Sequence, residues 1–201
     1  EQVTIASRCM TLEFQPISTS GILDWLLDQN VDDTTAETVA LASRGDLHRA
    51  SDLINDPKVT DRFLLWRSIP DCLNKEGYVI AEIVENIRNS LDEAQVTIDE
   101  RHLQEIEELR KREETLGLRG SGRKEFEAQQ KREVRRFRID ELQFGFATLA
   151  NVFREKIEET PSDTLIRSVE HIRRANAALR RNPNESLLLQ ALLISLSDEE
   201  T

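Results

Sequence analysis

The strongest constraint on the fold is a pair of long amphipathic segments separated by three glycines. In the first segment, apolar residues recur in steps of three and four from residue 79 to residue 98, and residues 126–157 show a similar pattern. This spacing places the apolar side chains on one face of a helix that packs against a partner helix. Gly117, Gly120 and Gly122 indicate a reversal of the chain. The pattern predicts two long antiparallel helices over residues 79–158 with a glycine-rich tip.

The middle of this predicted hairpin is highly charged. Residues 99–115 hold seven acidic and four basic residues, whereas residues 119–138 hold eight basic and three acidic residues. Folding the chain back on itself sets these opposite charges side by side, and we expect them to pair and to fix the register. Each exposed pair contributes only about 0.2–1 kcal/mol. The apolar positions that remain in the first helix here are Leu103, Ile106, Leu109 and Leu116.

A basic run on the second helix has two interpretations. It consists of Lys131, Arg132, Arg135, Arg136 and Arg138. It is either the solvated face of the hairpin, with an acidic helix opposite, or a stripe that binds DNA. The solvated face is favoured because only Phe137 is interleaved, at an apolar seam position. The net charge of −11 also argues against broad contact with a phosphate backbone.

Residues 16–56 predict three short helices. The first is capped within residues 18–20 and the second by Thr34 or Thr35, since these side chains accept hydrogen bonds from backbone N–H groups. Gly45 ends the second helix because glycine takes the left-handed conformation at little cost. The third helix is predicted from Leu47 to Ile54.

The remaining chain is also helical in pattern, so we expect an all-α protein. Only residues 3–14 alternate like a strand, and the aromatic content is just 5%. Pro161 opens another helix, and the turn at residues 182–184 precedes a leucine-rich helix that ends near Leu196. That last helix is apolar over most of its circumference, so we expect it to be buried or to pack against another subunit.

Several classes of protein are disfavoured. No apolar run approaches the roughly 18 residues that a membrane span needs. Cys9 and Cys72 provide neither a zinc site nor a disulfide framework, and the histidines (His48, His102 and His171) share no ligand spacing. We therefore expect no metal, no membrane contact and a cytoplasmic location.

Two motifs resemble those of the AAA+ clamp-loader family, and the chain is most similar to the second half of the delta-prime subunits of bacterial DNA polymerase III. Residues 4–9 (Thr-Ile-Ala-Ser-Arg-Cys) look like the segment that ends in the Ser-Arg-Cys motif of this family. Residues 45–50 (Gly-Asp-Leu-His-Arg-Ala) are similar to its sensor-2 motif, Gly-x-x-Arg-x-Ala, with the arginine one residue later than in the motif. The turn at residues 182–184 and the leucine-rich helix look like the end of the family's collar domain.

The resemblance implies specific roles for both motifs. Arg8, with Ser7 and Cys9 beside it, would be an arginine finger for ATP bound to a neighbouring subunit, where a planar guanidinium spreads charge over the transferring oxygens. Gly45 and Arg49 would be a sensor-2 site that faces the module's own nucleotide pocket and is vestigial if the subunit is inactive. The local alternatives stay open. Arg8 would then be an exposed arginine paired with a carboxylate, and Arg49 the surface partner of an acid one turn away.

These expectations define three regions: residues 1–15 as the end of the AAA+ core, 16–56 as its three-helix lid, and 57–201 as a helical collar with a hairpin insertion at about 99–138. The sequence has no Gly-x-x-x-x-Gly-Lys phosphate loop, and its abrupt start leads us to expect a fragment without ATPase activity or a cofactor of its own.

The resemblance implies a non-catalytic subunit in a hetero-pentameric ring that loads a sliding clamp on primed DNA. The alternatives are an ATP-binding tau/gamma-type subunit, or a helical scaffold that binds a partner protein through its hairpin.

Overall fold

The computed structural model describes residues 15–73, 76–116 and 123–199, and the regular structure in these ranges is helical. The all-α prediction is therefore confirmed. The helices are α1 (Thr19–Asp28), α2 (Asp33–Ser43), α3 (Leu47–Ile54), α4 (Val59–Cys72), α5 (Gly77–Leu116), α6 (Arg123–Glu159), α7 (Asp163–Ala178) and α8 (Glu185–Glu199), with a 3₁₀ turn at Leu179–Arg181. The predicted strand at residues 3–14 lies outside the described residues.

The chain divides into two compact units, with the boundary after Pro57. In the first unit, described from residue 15, short polar side chains begin each helix. The Ser18 hydroxyl accepts a hydrogen bond from the Gly21 N–H, and the Asp46 carboxylate accepts from the N–H groups of His48 and Arg49. These side chains satisfy backbone donors that a helix leaves unpaired in its first turn.

The predicted start of α2 was wrong. Asp32, not a threonine, caps the helix: its Oδ1 accepts a 3.0 Å hydrogen bond from the Thr35 N–H, and Asp33 already lies in the first turn. Hydrogen bonding, led by the Thr35 side chain, also lowers the pKa of Asp32. Aspartate is at least as strong a helix starter as threonine, so Asp32 takes the cap although two threonines follow it.

The core of the first unit is built mainly from small and branched side chains. Ile22 and Leu26 of α1 are fully buried, and alanines bring α2 and α3 close together. The buried apolar set is Ile22, Leu26, Ala36, Val39, Ala40, Ala42, Ala50 and Leu53. The three short helices thus share one apolar interior.

The second unit is centred on Trp66 of α4, which is 1% exposed. Its ring meets Phe146 of α6 edge to face, with ring centroids 5.8 Å apart. A Cβ added at Gly145 would lie 1.9 Å from an indole carbon, so α6 approaches the ring this closely only because residue 145 has no side chain. α5, α7 and α8 complete the core together with α6, through residues that include Ile87, Leu91, Leu149, Phe153, Ile172, Leu189, Leu193 and Leu196.

A buried ion pair lies one turn away from this contact. The Arg62 Nε donates to the Glu141 carboxylate at 2.9 Å, and both side chains are less than 5% exposed. Removing one partner of such a pair leaves a buried charge uncompensated, which costs about 3–5 kcal/mol. The pair therefore fixes the position of α4 along α6.

The predicted helical hairpin is present as α5 and α6, of 40 and 37 residues. Full burial of apolar side chains stops at Leu91 on α5 and resumes at Leu142 on α6. We call the described residues between these limits, 95–116 of α5 and 123–138 of α6, the arm. Among the arm residues whose side chains the structure describes, the buried ones are the polar His102 and Gln130.

One predicted seam position in the arm was wrong. Leu103 is 68% exposed, and His102 is buried in its place at 7% exposure. Adjacent side chains of a helix point about 100° apart, and an apolar pattern drifts around the helix along its length. A shift of one position in this pattern therefore buries His102 and exposes Leu103. Polar contacts therefore hold this part of α5 against α6.

The leucine-rich helix α8 was expected to be buried, and one of its sides is. Leu189, Leu192, Leu193 and Leu196 are at most 4% exposed. Leu187 and Ile194 remain 65% and 50% exposed, and Ala191 between them is exposed as well. These three residues, which we call the α8 outer stripe, share one side of the helix.

In the described ranges, no helix combines the length and apolar character needed to cross a bilayer.

Gly145→Ala tests the contact with Trp66. Alanine gains helix propensity, but the overlap with the indole must push α4 away, and we expect a net loss of about 1–3 kcal/mol in the free energy of unfolding. Gly77→Ala is the matched control, because a Cβ there meets nothing within 4 Å. Urea unfolding of both variants measures the difference. Equal stability for the two would contradict the packing account.

Candidate functional site

The predicted sensor-2-like residues lie at the junction of α2 and α3. Arg44 and Gly45 both have positive φ angles, 53° and 85°, and turn the chain sharply after Ser43. Asp46 then caps α3, and Arg49 falls in the first turn of that helix. Arg44 takes the left-handed conformation at the C-cap of α2, and Gly45, the residue predicted to end the helix, follows it with positive φ.

Gly45 also packs tightly against the segment that precedes α1. Its carbonyl accepts a 3.2 Å hydrogen bond from the Ile17 N–H. A Cβ at position 45 would lie 2.6 Å from the Pro16 Cβ and 2.7 Å from the Ile17 carbonyl oxygen. Both the φ angle and the lack of space therefore require glycine at this position.

Arg49 is half-buried and engages its own module. Its Nε donates a 3.0 Å hydrogen bond to the carbonyl of Ala42, at the C-terminal end of α2. A cation at this end of a helix also interacts favourably with the helix dipole. The structure thus gives Arg49 a structural contact that joins α2 to α3. The other predicted site residues, Ser7, Arg8 and Cys9, lie outside the described residues.

A cluster that the sequence analysis missed is centred on Arg138, where the arm begins. Its guanidinium makes a two-pronged contact with Glu185 at the start of α8, with distances of 2.6–3.0 Å. It also donates to Asp92 at 2.6 Å and to Gln95 at 3.0 Å on α5. These hydrogen bonds, those to Glu185 above all, raise the pKa of Arg138. Its partners lie more than 40 residues away, so no local signal could have identified them.

A second polar cluster joins the two helices within the arm. Glu133 of α6 contacts Arg101 and His102 of α5, with 3.1 Å between its carboxylate and the His102 Nε2. Gln130 donates to the His102 carbonyl at 3.2 Å and to the Glu105 carboxylate. The hydrogen bond with His102, followed by the influence of Arg101, holds the pKa of Glu133 below its usual value.

The described ion pairs do not follow the charge pairing predicted between residues 99–115 and 119–138. Arg101 and Glu133 pair in the opposite sense, and Arg138 pairs with Asp92, which precedes the predicted acidic stretch. Most other ion pairs of the arm lie within one helix: Glu107 with Arg110 and Lys111, Glu108 with Arg112, and Arg123 with Glu127. The bases of α5 in the arm thus pair with acids of α5 itself.

The described residues contain no group of three side chains suited to hold a metal ion. Comparison of the chain with protein-family models, curated proteins and solved structures finds no match. The arrangement offers three surfaces for interaction: the α2–α3 junction, the arm and the α8 outer stripe.

Acidification should loosen the arm. Because the pKa of Glu133 is lowered in the folded chain, its stabilising contribution is present above the ordinary range of a glutamate, near pH 4.5, and is lost as the pH falls through the lowered value. We expect amide hydrogen exchange in residues 98–106 to become faster relative to the core below about pH 4.5.

Glu133→Gln should remove most of this pH dependence while keeping the size of the side chain. Glu125→Gln, on the exposed surface of α6, serves as the control and should leave the dependence intact. If the wild-type arm and core lost protection in parallel, the local account would be incorrect.

Proposed function

We propose that this chain is the C-terminal part of a non-catalytic clamp-loader subunit of bacterial DNA polymerase III. In this proposal, it takes part in a hetero-pentameric cytoplasmic ring that loads a sliding clamp on primed DNA. The first unit is the lid of an AAA+ module, the second is the collar domain, and Arg8 serves ATP on the adjacent subunit. The chain itself needs no cofactor.

The observation that carries the proposal is the geometry of the α2–α3 junction. Gly45, with positive φ, follows the C-cap of α2, Asp46 starts α3, and Arg49 lies in its first turn. This is the local arrangement expected if residues 45–50 are a sensor-2 motif on a three-helix lid, with the arginine one residue later than in Gly-x-x-Arg-x-Ala. A separate helical unit follows after Pro57, in the order expected for lid and collar.

The hydrogen bond of Arg49 favours a non-catalytic subunit over an ATP-binding one. A sensor-2 arginine that serves its own nucleotide must direct its guanidinium at phosphate. Here the Nε is engaged by the Ala42 carbonyl at 3.0 Å, which ties the side chain to the lid itself. A structural role for Arg49 is consistent with a subunit that holds the ring and leaves hydrolysis to its neighbours.

The α8 outer stripe supports a role in assembly. Leu187, Ala191 and Ile194 expose apolar surface on a helix whose opposite side is buried in the core. Contiguous exposed apolar residues are typical of contacts between subunits. In the proposed ring, this stripe would pack against the collar of an adjacent subunit.

A helical scaffold that uses the arm to bind a protein is the second candidate. Val96 and Leu103 are 49% and 68% exposed and lie two turns apart on α5. Val96→Ser with Leu103→Ser should leave clamp loading unchanged if the arm is not the assembly surface. Loss of ring assembly by this variant, with assembly retained after Leu187→Ser and Ile194→Ser, would favour the scaffold.

Arg8→Ala tests the arginine finger. In a reconstituted ring in which only the adjacent motor subunit can bind ATP, we expect single-turnover hydrolysis to fall by roughly 10³-fold, since a finger stabilises charge in the transition state. Arg8→Lys should restore little, because an ammonium lacks the planar fork. Arg180→Ala, at an exposed position of the 3₁₀ turn, is the control. Unchanged hydrolysis with Arg8→Ala in an intact ring would exclude this role.

Arg49→Gln separates the structural role from nucleotide binding. Loss of the hydrogen bond to Ala42 should destabilise the first unit by about 1.5–3 kcal/mol and leave ATP hydrolysis by the folded ring unchanged. Chemical denaturation and a steady-state ATPase assay measure the two effects. A stable variant that loses ATP binding would instead support the tau/gamma-type alternative.

A further inference from the structure

One side of the arm carries a row of exposed basic residues that the proposed function does not use. Lys124, Lys131, Arg132, Arg135 and Arg136 of α6 are all exposed, and we call them the basic face. Their spacing places Lys124, Lys131 and Arg135 in one line along the helix and Arg132 and Arg136 in the adjacent line. At 1.5 Å per residue, the row is about 18 Å long.

The basic face points away from α5. Gln130 is buried against α5 through its hydrogen bonds to the His102 carbonyl and the Glu105 carboxylate. On a helix of 3.6 residues per turn, Arg132 and Arg135 lie on the side roughly opposite Gln130, and Lys131 lies about 100° from it. The row is therefore accessible along its whole length without opening the arm.

In the described ion pairs, the acidic residues of α5 do not neutralise the basic face. Carboxylates of α5 pair with bases of α5, and Glu127 and Glu133 of α6 are engaged by Arg123 and by Arg101. In the part of the chain that the structure describes, the basic face has one ion pair, a 3.9 Å contact between Arg136 and Asp140. Of the five cations of the basic face, Arg136 is thus the one with a described ion pair, and the other four are available to an anion.

We propose that the basic face binds the phosphate backbone of duplex DNA without sequence specificity. Guanidinium groups donate paired hydrogen bonds to phosphate oxygens, and a row of cations releases counterions when it meets a polyanion. This inference rests on the arm alone and does not depend on assignment of the chain to a clamp loader.

The residue types on this face favour a duplex over other polyanions. The adjacent aromatic residues, Phe126 and Phe137, are half-buried and leave no exposed ring for stacking on single-stranded bases. The other apolar residues between the basic positions, Ala128 and Val134, are half-buried as well. The row thus lacks both the apolar side chains that insert into a membrane surface and the aromatic anchors of a protein interface.

The net charge of −11 weakens the binding of DNA but does not change which surface binds it. Exposed carboxylates of α5, such as Glu100, lie on the side of α5 that faces away from α6, so the two sides of the arm carry opposite charge. DNA is attracted to one side and repelled by the other. We therefore expect non-specific binding, with a Kd of about 10⁻⁴–10⁻⁶ M at physiological salt and a steep dependence on salt.

The test measures binding of the full chain to a fluorescent 20-base-pair duplex by anisotropy at 50–200 mM NaCl. Four phosphate contacts predict a slope of log affinity against log salt near −3.6, or roughly a 100-fold loss across this range. No measurable binding at 50 mM NaCl would overturn the proposal. Single-stranded DNA of the same sequence should bind more weakly, and equal or tighter binding would refute the preference for duplex.

A matched pair of variants locates the site. Arg132→Glu with Arg135→Glu should weaken duplex binding by roughly tenfold or more and reduce the salt slope by about 2. Arg173→Glu with Arg174→Glu changes the net charge equally at exposed positions of α7, where both arginines contact Glu170, and should retain the wild-type slope. If both variants lost affinity and slope equally, general electrostatics would explain the binding and the basic face would not be the site.

Circular dichroism and urea unfolding of both double variants control for folding. The substituted positions are solvent-exposed, so the helical signal should remain that of the wild type. Polyglutamate provides a second control, because it presents negative charge without the geometry of a duplex backbone. Competition by polyglutamate at the same charge concentration as duplex DNA would contradict recognition of the backbone.

Discussion

The second unit depends on the close approach of Trp66 to the backbone of α6 at Gly145. This contact sets the distance between α4 and α6, and the ion pair of Arg62 with Glu141 sets their relative position one turn earlier on both helices. The apolar contact supplies most of the stabilisation, since burying an ion pair costs much of what the pair returns. Together they hold the base of the arm in a single register.

The character of α6 changes where it leaves this core. From Leu142 onward it packs through apolar side chains, whereas toward its N-terminus it depends on Arg138, Glu133 and Gln130 for contact with α5 and α8. Polar contacts at a surface stabilise less than apolar burial, so the arm is the part of this unit that opens at the lowest free energy. The same composition leaves the outer side of α6 free to carry charge.

Local signals predicted the helices well because the forces that start and end a helix act over a few residues. Leu47–Ile54 was predicted correctly from Gly45 and from Pro57, and both long helices of the hairpin followed from the apolar period. The partners of charged side chains could not be predicted in the same way. The contact of Glu133 with α5 depends on the rotation of α6 about its own axis, which the sequence does not give. The contact of Arg138 with Glu185 depends on the packing of α8 against the hairpin, and no local pattern shows that packing.

The α2–α3 junction couples the segment before α1 to the first turn of α3. The Gly45 carbonyl accepts a hydrogen bond from the Ile17 N–H, and Arg49 lies one helical turn beyond Gly45. Any side chain at position 45 would displace Pro16 and Ile17 and would also disturb the cap that orients Arg49. The positions of residues 16–17 and of Arg49 are therefore set by the same turn.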